Sequence, residues 1–137
     1  MALLDTPLNK AGFLQIYIRT ARGQVIEINP QIRIPRTFKR FSGLMAQLLT
    51  QQRVMADTKD TFLMRVIPSL VLPRSTKIIS IENKGKLVRL RRFIEDDIAL
   101  KDDSVVFFIT ASSIAETNYD EIKADERISI SNYPLSS

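Results

Sequence analysis

A continuous apolar run, Ser104-Val-Val-Phe-Phe-Ile109, is the feature that most restricts how this 137-residue chain can fold. Such a run is typical of a central strand that is buried on both faces of a sheet. Two shorter β-like runs, Phe62–Ile67 and Lys77–Ile81, lie upstream and are separated by prolines. Apolar residues at helical spacing over Leu87–Leu100 predict a helix between the last two strands. Strands that alternate with helices indicate the α/β class.

The N-terminal region predicts a β-hairpin. The segments Phe13–Ile18 and Val25–Ile28 are rich in β-favouring residues and flank the sequence Ala21-Arg22-Gly23. Glycine can supply the positive φ that a tight turn requires. The second strand is expected to stop at Asn29-Pro30, because proline cannot donate a hydrogen bond to a sheet.

A helix that begins with a cluster of cations is predicted after the hairpin. Thr37 is a suitable N-cap, and apolar residues follow it at helical spacing. These apolar residues are Phe38, Phe41, Met45, Leu48 and Leu49. Arg36, Lys39 and Arg40 gather at the end of the helix where the backbone dipole is already positive. Such an end attracts phosphate.

Charge is distributed unevenly along the chain. Residues 1–92 carry 17 Lys and Arg against 5 Asp and Glu, whereas residues 93–137 carry 3 against 10. Either the two parts neutralise each other within the protein, or the basic part forms a phosphate-binding face. The basic residues are densest in Arg33–Arg40 and Lys84–Arg92. For the second cluster, a solvated flank is favoured over an RNA-facing one, because charge runs are usually exposed faces.

Composition excludes several classes of protein. The chain contains no Cys and no His, which excludes disulfides, Cys/His zinc sites and the usual Ser-His or Cys-His nucleophiles. We therefore expect no metal. No apolar run approaches the roughly 18 residues of a membrane helix, and the first residues lack the features of a signal peptide. We expect a soluble, intracellular protein with a single domain over residues 1–137.

Four stretches carry a resemblance to a known family. They are Asp5–Gly12, Glu27–Pro30, Arg33–Leu49 and Ser129–Ser136. With these stretches the chain closely resembles the nucleolar-essential ribosome-biogenesis proteins, which are SPOUT-class methyltransferases that modify N1 of a pseudouridine in small-subunit rRNA. The resemblance implies a SPOUT-like α/β-knot fold, which we expect to be incomplete at both ends. It further implies a homodimer, a nucleolar location, a small-subunit rRNA hairpin as substrate, S-adenosylmethionine as methyl donor, and pre-ribosomal proteins as partners.

The resemblance also implies an RNA-binding site. The rRNA-contacting arginines of the family fall on Arg33, Arg36 and Arg40, and Lys39 lies among them. The planar guanidinium can bind phosphate through two hydrogen bonds and can stack on unpaired bases, although a solvated helix flank is the alternative. The aspartate that the family places near the target base falls on Asp5, a candidate catalytic residue that could orient or accept the base N–H proton. A role in a loop or at a helix start is equally open for Asp5.

The cofactor site is the point at which the chain departs from the family. One cofactor-contacting stretch is retained as Ile130, Ser131, Asn132, Leu135 and Ser136, although a turn at a strand end would explain it as well. The other is a glycine-containing loop directly after the central strand, and here Phe107–Ile114 contains no glycine. Side chains with a Cβ obstruct close approach of the backbone to a ligand and disfavour positive φ.

Three functions are consistent with these features. The leading prediction is a small-subunit ribosome-biogenesis factor that binds rRNA and whose methyltransferase activity is lost. The alternative is an active S-adenosylmethionine-dependent rRNA pseudouridine N1-methyltransferase, in which backbone amides of Thr110–Ala115 replace the glycine loop. The third is a structural protein that docks a basic partner through its acidic residues 93–137.

Overall fold

The computed structural model describes residues 2–57, 61–98, 104–110 and 123–133. The chain divides into two compact units, Met1–Val71 and Leu72–Ser137. Each has its own buried apolar cluster. The single domain over 1–137 stays a prediction.

The first unit is a four-stranded antiparallel sheet with one long helix. Its elements are a 3₁₀ turn Ala2–Asp5, α1 Pro7–Lys10, β1 Ile16–Arg19, β2 Val25–Ile28, α2 Phe38–Gln51, β3 Arg53–Met55 and β4 Phe62–Ile67. The strand order is β1-β2-β4-β3. The predicted hairpin is confirmed, since Ile16 pairs with Ile28 and Arg19 with Val25. Gly23 supplies the positive φ of its turn, at 81°.

The helix predicted after Thr37 is also confirmed. Thr37 has the extended backbone of an N-cap, and α2 ends before Gln52, which adopts the left-handed conformation at φ 62°. The helix buries Leu48 in the apolar cluster of the unit. The buried members of that cluster are Ile26, Ile28, Ile32, Leu48, Val54 and Met64.

The second unit contains a three-stranded parallel sheet. Its elements are β5 Lys77–Leu87, α3 Leu90–Phe93, a π-helical turn Ile94–Ile98, β6 Val105–Ile109 and β7 Glu126–Ser129. The strand order is β6-β5-β7, and Ile79, Phe93 and Ile128 form the buried cluster.

One expectation for this unit was wrong, and another is confirmed in part. The apolar run forms β6, which is an edge strand of the described sheet and not its central strand. Apolar residues show that a strand packs against other parts of the protein, but they do not fix its position among the strands of the sheet. The helix predicted over Leu87–Leu100 is present from Leu90, because β5 continues to Leu87, and it runs through the π-helical turn to Ile98. Residues 99 and 100 lie outside the described residues. Beyond α3 the chain widens into the π-helical turn, where Asp96 and Asp97 oppose the dipole of a helix end.

Gly85 lies against the backbone of β7. The pairing of the two strands shifts between Ile81 and Lys86, both of which are in register with Ile128. A Cβ on Gly85 would lie 2.5 to 2.7 Å from the backbone of Ile128. Only glycine therefore fits this position without a shift of the strands.

Candidate RNA-binding and cofactor sites

The segment that leads to the predicted RNA-binding arginines is held by a turn at the end of β2. The amide of Ile32 donates to the carbonyl of Asn29 at 3.0 Å, and the Asn29 side chain accepts from the amide of Gln31 at 2.9 Å. The Asn29 side-chain amide donates in turn to the carbonyl of Phe62 at 2.8 Å. Because Phe62 begins β4, this turn is fixed to the sheet.

Burial alternates along the next residues. Ile32 is buried and Ile34 is partly buried against the same apolar cluster, whereas Arg33 between them is exposed. Alternate residues of an extended segment lie on opposite sides of the backbone. The apolar contacts of the two isoleucines therefore hold Arg33 at the surface.

The start of α2 brings the other predicted cations together. Arg36, Lys39 and Arg40 are exposed, and no ion pair of the described residues involves them or Arg33. The first turn of the helix has no acidic residue, and the Thr37 side chain makes no capping hydrogen bond. The first-turn amides are thus available to an external acceptor such as a phosphate oxygen. We call Arg33, Arg36, Lys39 and Arg40 the basic junction.

Asp5 is the last residue of the 3₁₀ turn and directly precedes Thr6, the N-cap of α1. Thr6 is the N-cap of α1: its hydroxyl accepts from the amide of Asn9 at 3.3 Å and donates to the carbonyl of Leu3 at 2.7 Å. Asp5 itself is exposed, and no described cation pairs with it. Its carboxylate is therefore free to contact a ligand, and its catalytic role stays a prediction.

Asn9 joins the turn that carries Asp5 to the chain that leads to the basic junction. Its side-chain amide donates to the carbonyl of Leu4 at 3.0 Å and to the carbonyl of Pro30 at 2.9 Å. Asn9 is buried. The sequence shows Asn9 only as part of a helix start, and no local pattern indicates its contact with a residue so far along the chain.

The predicted cofactor stretch follows β7. The hydroxyl of Ser129 donates to the carbonyl of Ser131 at 2.7 Å, and the hydroxyl of Ser131 accepts from the amide of Tyr133 at 3.1 Å. Ile130, Ser131 and Asn132 thus lie in a tight turn at the carboxyl end of the strand. Leu135 and Ser136 lie outside the described residues.

Two apolar side chains are exposed at the carboxyl edge of the parallel sheet. Ile109 at the end of β6 is 56% exposed, and Ile130 just beyond β7 is 42% exposed. Ligands of open parallel sheets bind outside the carboxyl ends of the strands, and apolar side chains line most such sites. The residues present therefore fit the apolar part of S-adenosylmethionine. Of the predicted donor loop, Thr110 is described, and residues 111–115 lie outside the described part of the chain.

Intramolecular charge pairing accounts for several other cations. Arg65 pairs with Glu27 at 2.6 Å, and Arg127 lies 3.7 Å from Glu82. In the cluster Lys84–Arg92, Arg91 pairs with Glu95 at 3.0 Å on an exposed face. Among the described residues, the pairs of Lys77 with Glu126 and of Arg91 with Glu95 join a cation of residues 1–92 to an acid of residues 93–137. Neutralisation between the two parts is therefore local, and a phosphate-binding face stays a prediction.

Two structural features are absent from the described residues. No group of three or more His, Cys, Asp and Glu side chains among them could hold a metal ion. No helix formed by these residues has both the length and the apolar character needed to cross a membrane.

Comparison with known proteins finds relatives that match along almost the whole chain. The chain is 40% identical to the small-subunit rRNA methyltransferase NEP1 of Candida albicans in an alignment of 139 positions, gaps included, that covers 99% of this chain and 51% of the relative. It is 37% identical to the NEP1 of Homo sapiens, covering 99% of this chain and 54% of that protein. The chain spans about half the length of the curated relatives it matches.

A solved structure shows the same fold. Nep1 of Archaeoglobus fulgidus bound to S-adenosylhomocysteine superposes with a TM-score of 0.73 at 23% identity, over 98% of this chain and 59% of that one. This likeness confirms the predicted SPOUT-like α/β fold. The family model for the EMG1/NEP1 methyltransferases matches residues 1–137. The chain therefore belongs to the EMG1/NEP1 methyltransferase family.

Proposed function

We propose that this chain acts in the S-adenosylmethionine-dependent methylation of N1 of a pseudouridine in small-subunit rRNA, and that the basic junction binds the RNA. The observation that carries the proposal is the basic junction itself, in which four exposed cations at a fixed strand-to-helix turn have no ion pair among the described residues. Cations that are not neutralised within the protein are available to phosphates.

The comparisons favour an active methyltransferase, the alternative prediction from sequence, over loss of activity. The relatives that match along the whole chain are named as small-subunit rRNA methyltransferases. The absence of glycine in the donor loop was the reason to expect loss. In an active enzyme, Ile109 and Ile130, which are exposed at the carboxyl edge, would supply apolar contacts to the cofactor beside the donor loop.

The RNA-binding step uses two kinds of contact. Arg33, Arg36 and Arg40 provide planar groups that hydrogen-bond phosphates or base edges, while Lys39 adds a compact charge. Each phosphate that the protein neutralises releases counterions, so binding weakens as salt concentration rises. The turn at Asn29 holds the backbone that leads to these cations, so less backbone must be ordered on binding, which favours affinity.

Asp5 and the cofactor stretch have distinct proposed roles. Asp5 would accept a hydrogen bond from the N1–H of the target base, hold the base in place and receive its proton. Ile109, Ile130 and the turn at Ser131 and Asn132 would hold S-adenosylmethionine, with Leu135 and Ser136 completing the stretch. When bound, this cofactor supplies an electrophilic methyl group.

The remaining implications of the resemblance belong to the same proposal. A homodimer would double the basic surface presented to one RNA. A nucleolar location and contacts with pre-ribosomal proteins follow from an rRNA substrate. Sedimentation at micromolar concentration tests the dimer, and a monomer there would contradict it.

One experiment separates the three functions. The full chain is incubated with labelled S-adenosylmethionine and an rRNA hairpin that contains a single pseudouridine, with the same hairpin containing uridine as control. Label in the pseudouridine hairpin alone supports the proposal. Hairpin binding without label, and without cofactor binding in calorimetry, would support an assembly factor that has lost its activity. Absence of hairpin binding would support the structural protein.

A further inference from the structure

Phe38 is a large apolar residue whose side chain is not buried in the protein core. It is the first residue of α2 and is 84% exposed. Burying a phenylalanine side chain stabilises a protein by about 1.5 to 3 kcal/mol, so Phe38 contributes little of that to folding. The apolar stripe of α2 that meets the core begins later, at Leu44, Met45 and Leu48.

The surroundings of Phe38 are cationic. Arg36, Lys39 and Arg40 lie within two residues of it and are all exposed, and the first turn of α2 has no acidic residue. A ligand that fits this surface must offer a flat apolar face and negative charge together. A nucleotide with an unpaired base offers both, since the base stacks on an aromatic ring while the phosphate meets the cations.

We propose that Phe38 is a stacking platform for an unpaired nucleobase, and that the basic junction binds the phosphates on either side of that base. This inference rests on the proposed RNA-binding function and specifies which part of the RNA is bound. A base within a duplex has both faces covered by its neighbours and cannot stack on Phe38. The junction therefore selects a loop or bulge over a continuous helix.

The chain offers a matched control for this residue. Phe13 in the same unit is 81% exposed, and its neighbours from Ala11 to Gln15 include no charged residue. A substitution at Phe13 removes an equally exposed aromatic ring from a place that has no neighbouring cations. Any effect confined to Phe38 is then due to its place in the basic junction.

The chain contains no tryptophan, so a single introduced indole is a direct reporter. Phe38→Trp and Phe13→Trp are titrated with an rRNA hairpin that has an unpaired loop and with a blunt duplex of equal charge. We expect the hairpin to quench the fluorescence of Phe38→Trp only, and the duplex to quench neither. Phe38→Leu should weaken hairpin binding about 5- to 150-fold, which is the range for one base–aromatic stack, whereas Phe13→Leu should not.

Other outcomes would overturn the inference in distinguishable ways. Wild-type affinity in Phe38→Leu, with no quenching of Phe38→Trp by the bound hairpin, would remove the stacking role and leave the proposed RNA-binding function intact. Failure of the wild-type chain to bind the hairpin would remove both. Loss of self-association in Phe38→Leu, with hairpin affinity unchanged, would assign Phe38 to a contact between two copies of the chain.

Discussion

The side-chain amide of Asn9 donates a hydrogen bond of 2.9 Å to the carbonyl oxygen of Pro30, a residue 21 positions away. The same amide group binds the carbonyl of Leu4, next to Asp5. One buried side chain therefore sets the position of the proposed catalytic turn relative to the segment that leads to Arg33. A substitution at Asn9 should therefore affect both the stability of the chain and the geometry of the proposed RNA site.

Substitution of Asn9 should destabilise the chain in a graded way. Asn9→Ala leaves the carbonyls of Leu4 and Pro30 without their donor, and we expect a loss of about 1 to 3 kcal/mol in the free energy of unfolding. Asn9→Asp should lose more, because a carboxylate cannot donate and would face two carbonyl oxygens in a buried place. Urea denaturation measures both variants. Lys10→Ala, at an exposed neighbouring position, is the control, and an equal loss there would refute the role of Asn9.

The basic junction should account for the salt dependence of RNA binding. We expect each of Arg33→Ala, Arg36→Ala and Arg40→Ala to lose about 1 to 3 kcal/mol of binding free energy, with Arg36 the largest. The triple variant should also reduce the slope of log affinity against log salt, by about 0.7 to 0.9 for each phosphate that the protein no longer neutralises.

A charge-matched control distinguishes this site from net charge alone. Arg22, Arg53 and Arg74 are exposed arginines outside the junction. Their triple alanine variant removes the same charge and should retain most of the affinity for the hairpin in filter binding or fluorescence anisotropy. Equal loss in the two triple variants would show that RNA binding is diffuse and that the assignment of the junction is wrong.

Gly85 and Gly43 should respond to alanine in opposite directions. A Cβ at Gly85 would lie within 2.7 Å of the Ile128 backbone, so Gly85→Ala must displace β5 from β7. Overpacking of this kind typically destabilises by about 1 to 3 kcal/mol. Gly43 lies inside α2, where an added Cβ would have no atom within 4 Å apart from its chain neighbours and the backbone of its own helix. Gly43→Ala should therefore stabilise by about 0.5 to 1 kcal/mol. Thermal unfolding of the two variants checks the signs, and stabilisation by both would contradict the close approach of β5 and β7.

Tyr17 should make stability depend on pH under alkaline conditions. Partial burial, followed by the nearby Glu27 carboxylate, raises the pKa of Tyr17 above its ordinary value of 10.0, and Arg65 opposes this shift. The folded chain therefore keeps the phenol proton at a pH where the unfolded chain has begun to release it. This contribution is fully present below pH 10 and is lost as the pH rises through the folded value.

Tyr17→Phe removes the titrating group and should flatten the fall in stability above about pH 10. Tyr133→Phe, at a residue that is 76% exposed, is the matched control and should leave the fall in place. Denaturation midpoints measured between about pH 9 and 11 test this. An identical alkaline loss in wild type and Tyr17→Phe would exclude Tyr17 as its source.

The elements that could be predicted from sequence are those with local signals. The hairpin over β1 and β2 has its glycine turn, α2 has its N-cap and apolar spacing, and β4 coincides with the predicted run Phe62–Ile67. Strand β3 has no such signal, because three residues are too short to show alternation. The extension of β5 to Leu87 could not be predicted from sequence, because Asn83-Lys-Gly-Lys86 has the composition of a turn. This segment is a strand because it pairs with β7.

The candidate site divides in the same way. The cations of the basic junction could be predicted because charge, capping and helical spacing occur within eight residues. The contact between Asn9 and Pro30 could not, because it depends on how the 3₁₀ turn packs against the end of β2. The exposure of Phe38 could not be predicted either, because its helical spacing with Phe41 and Met45 predicts that it belongs to the buried apolar face of the helix.

The parallel sheet of the second unit has a consequence for the order of folding during synthesis. The amide of Ile78 donates to the Asp125 carboxylate, and the amide of Asp125 donates to the carbonyl of Ile78, across 47 residues of chain. The hairpin of the first unit closes across a turn of a few residues instead. Contacts distant in sequence form slowly because the closure of a long loop must precede them. The first unit can therefore complete its sheet while the ribosome is still synthesising the second unit. Strand β5 can form its hydrogen bonds with β7 only after β7 has been synthesised.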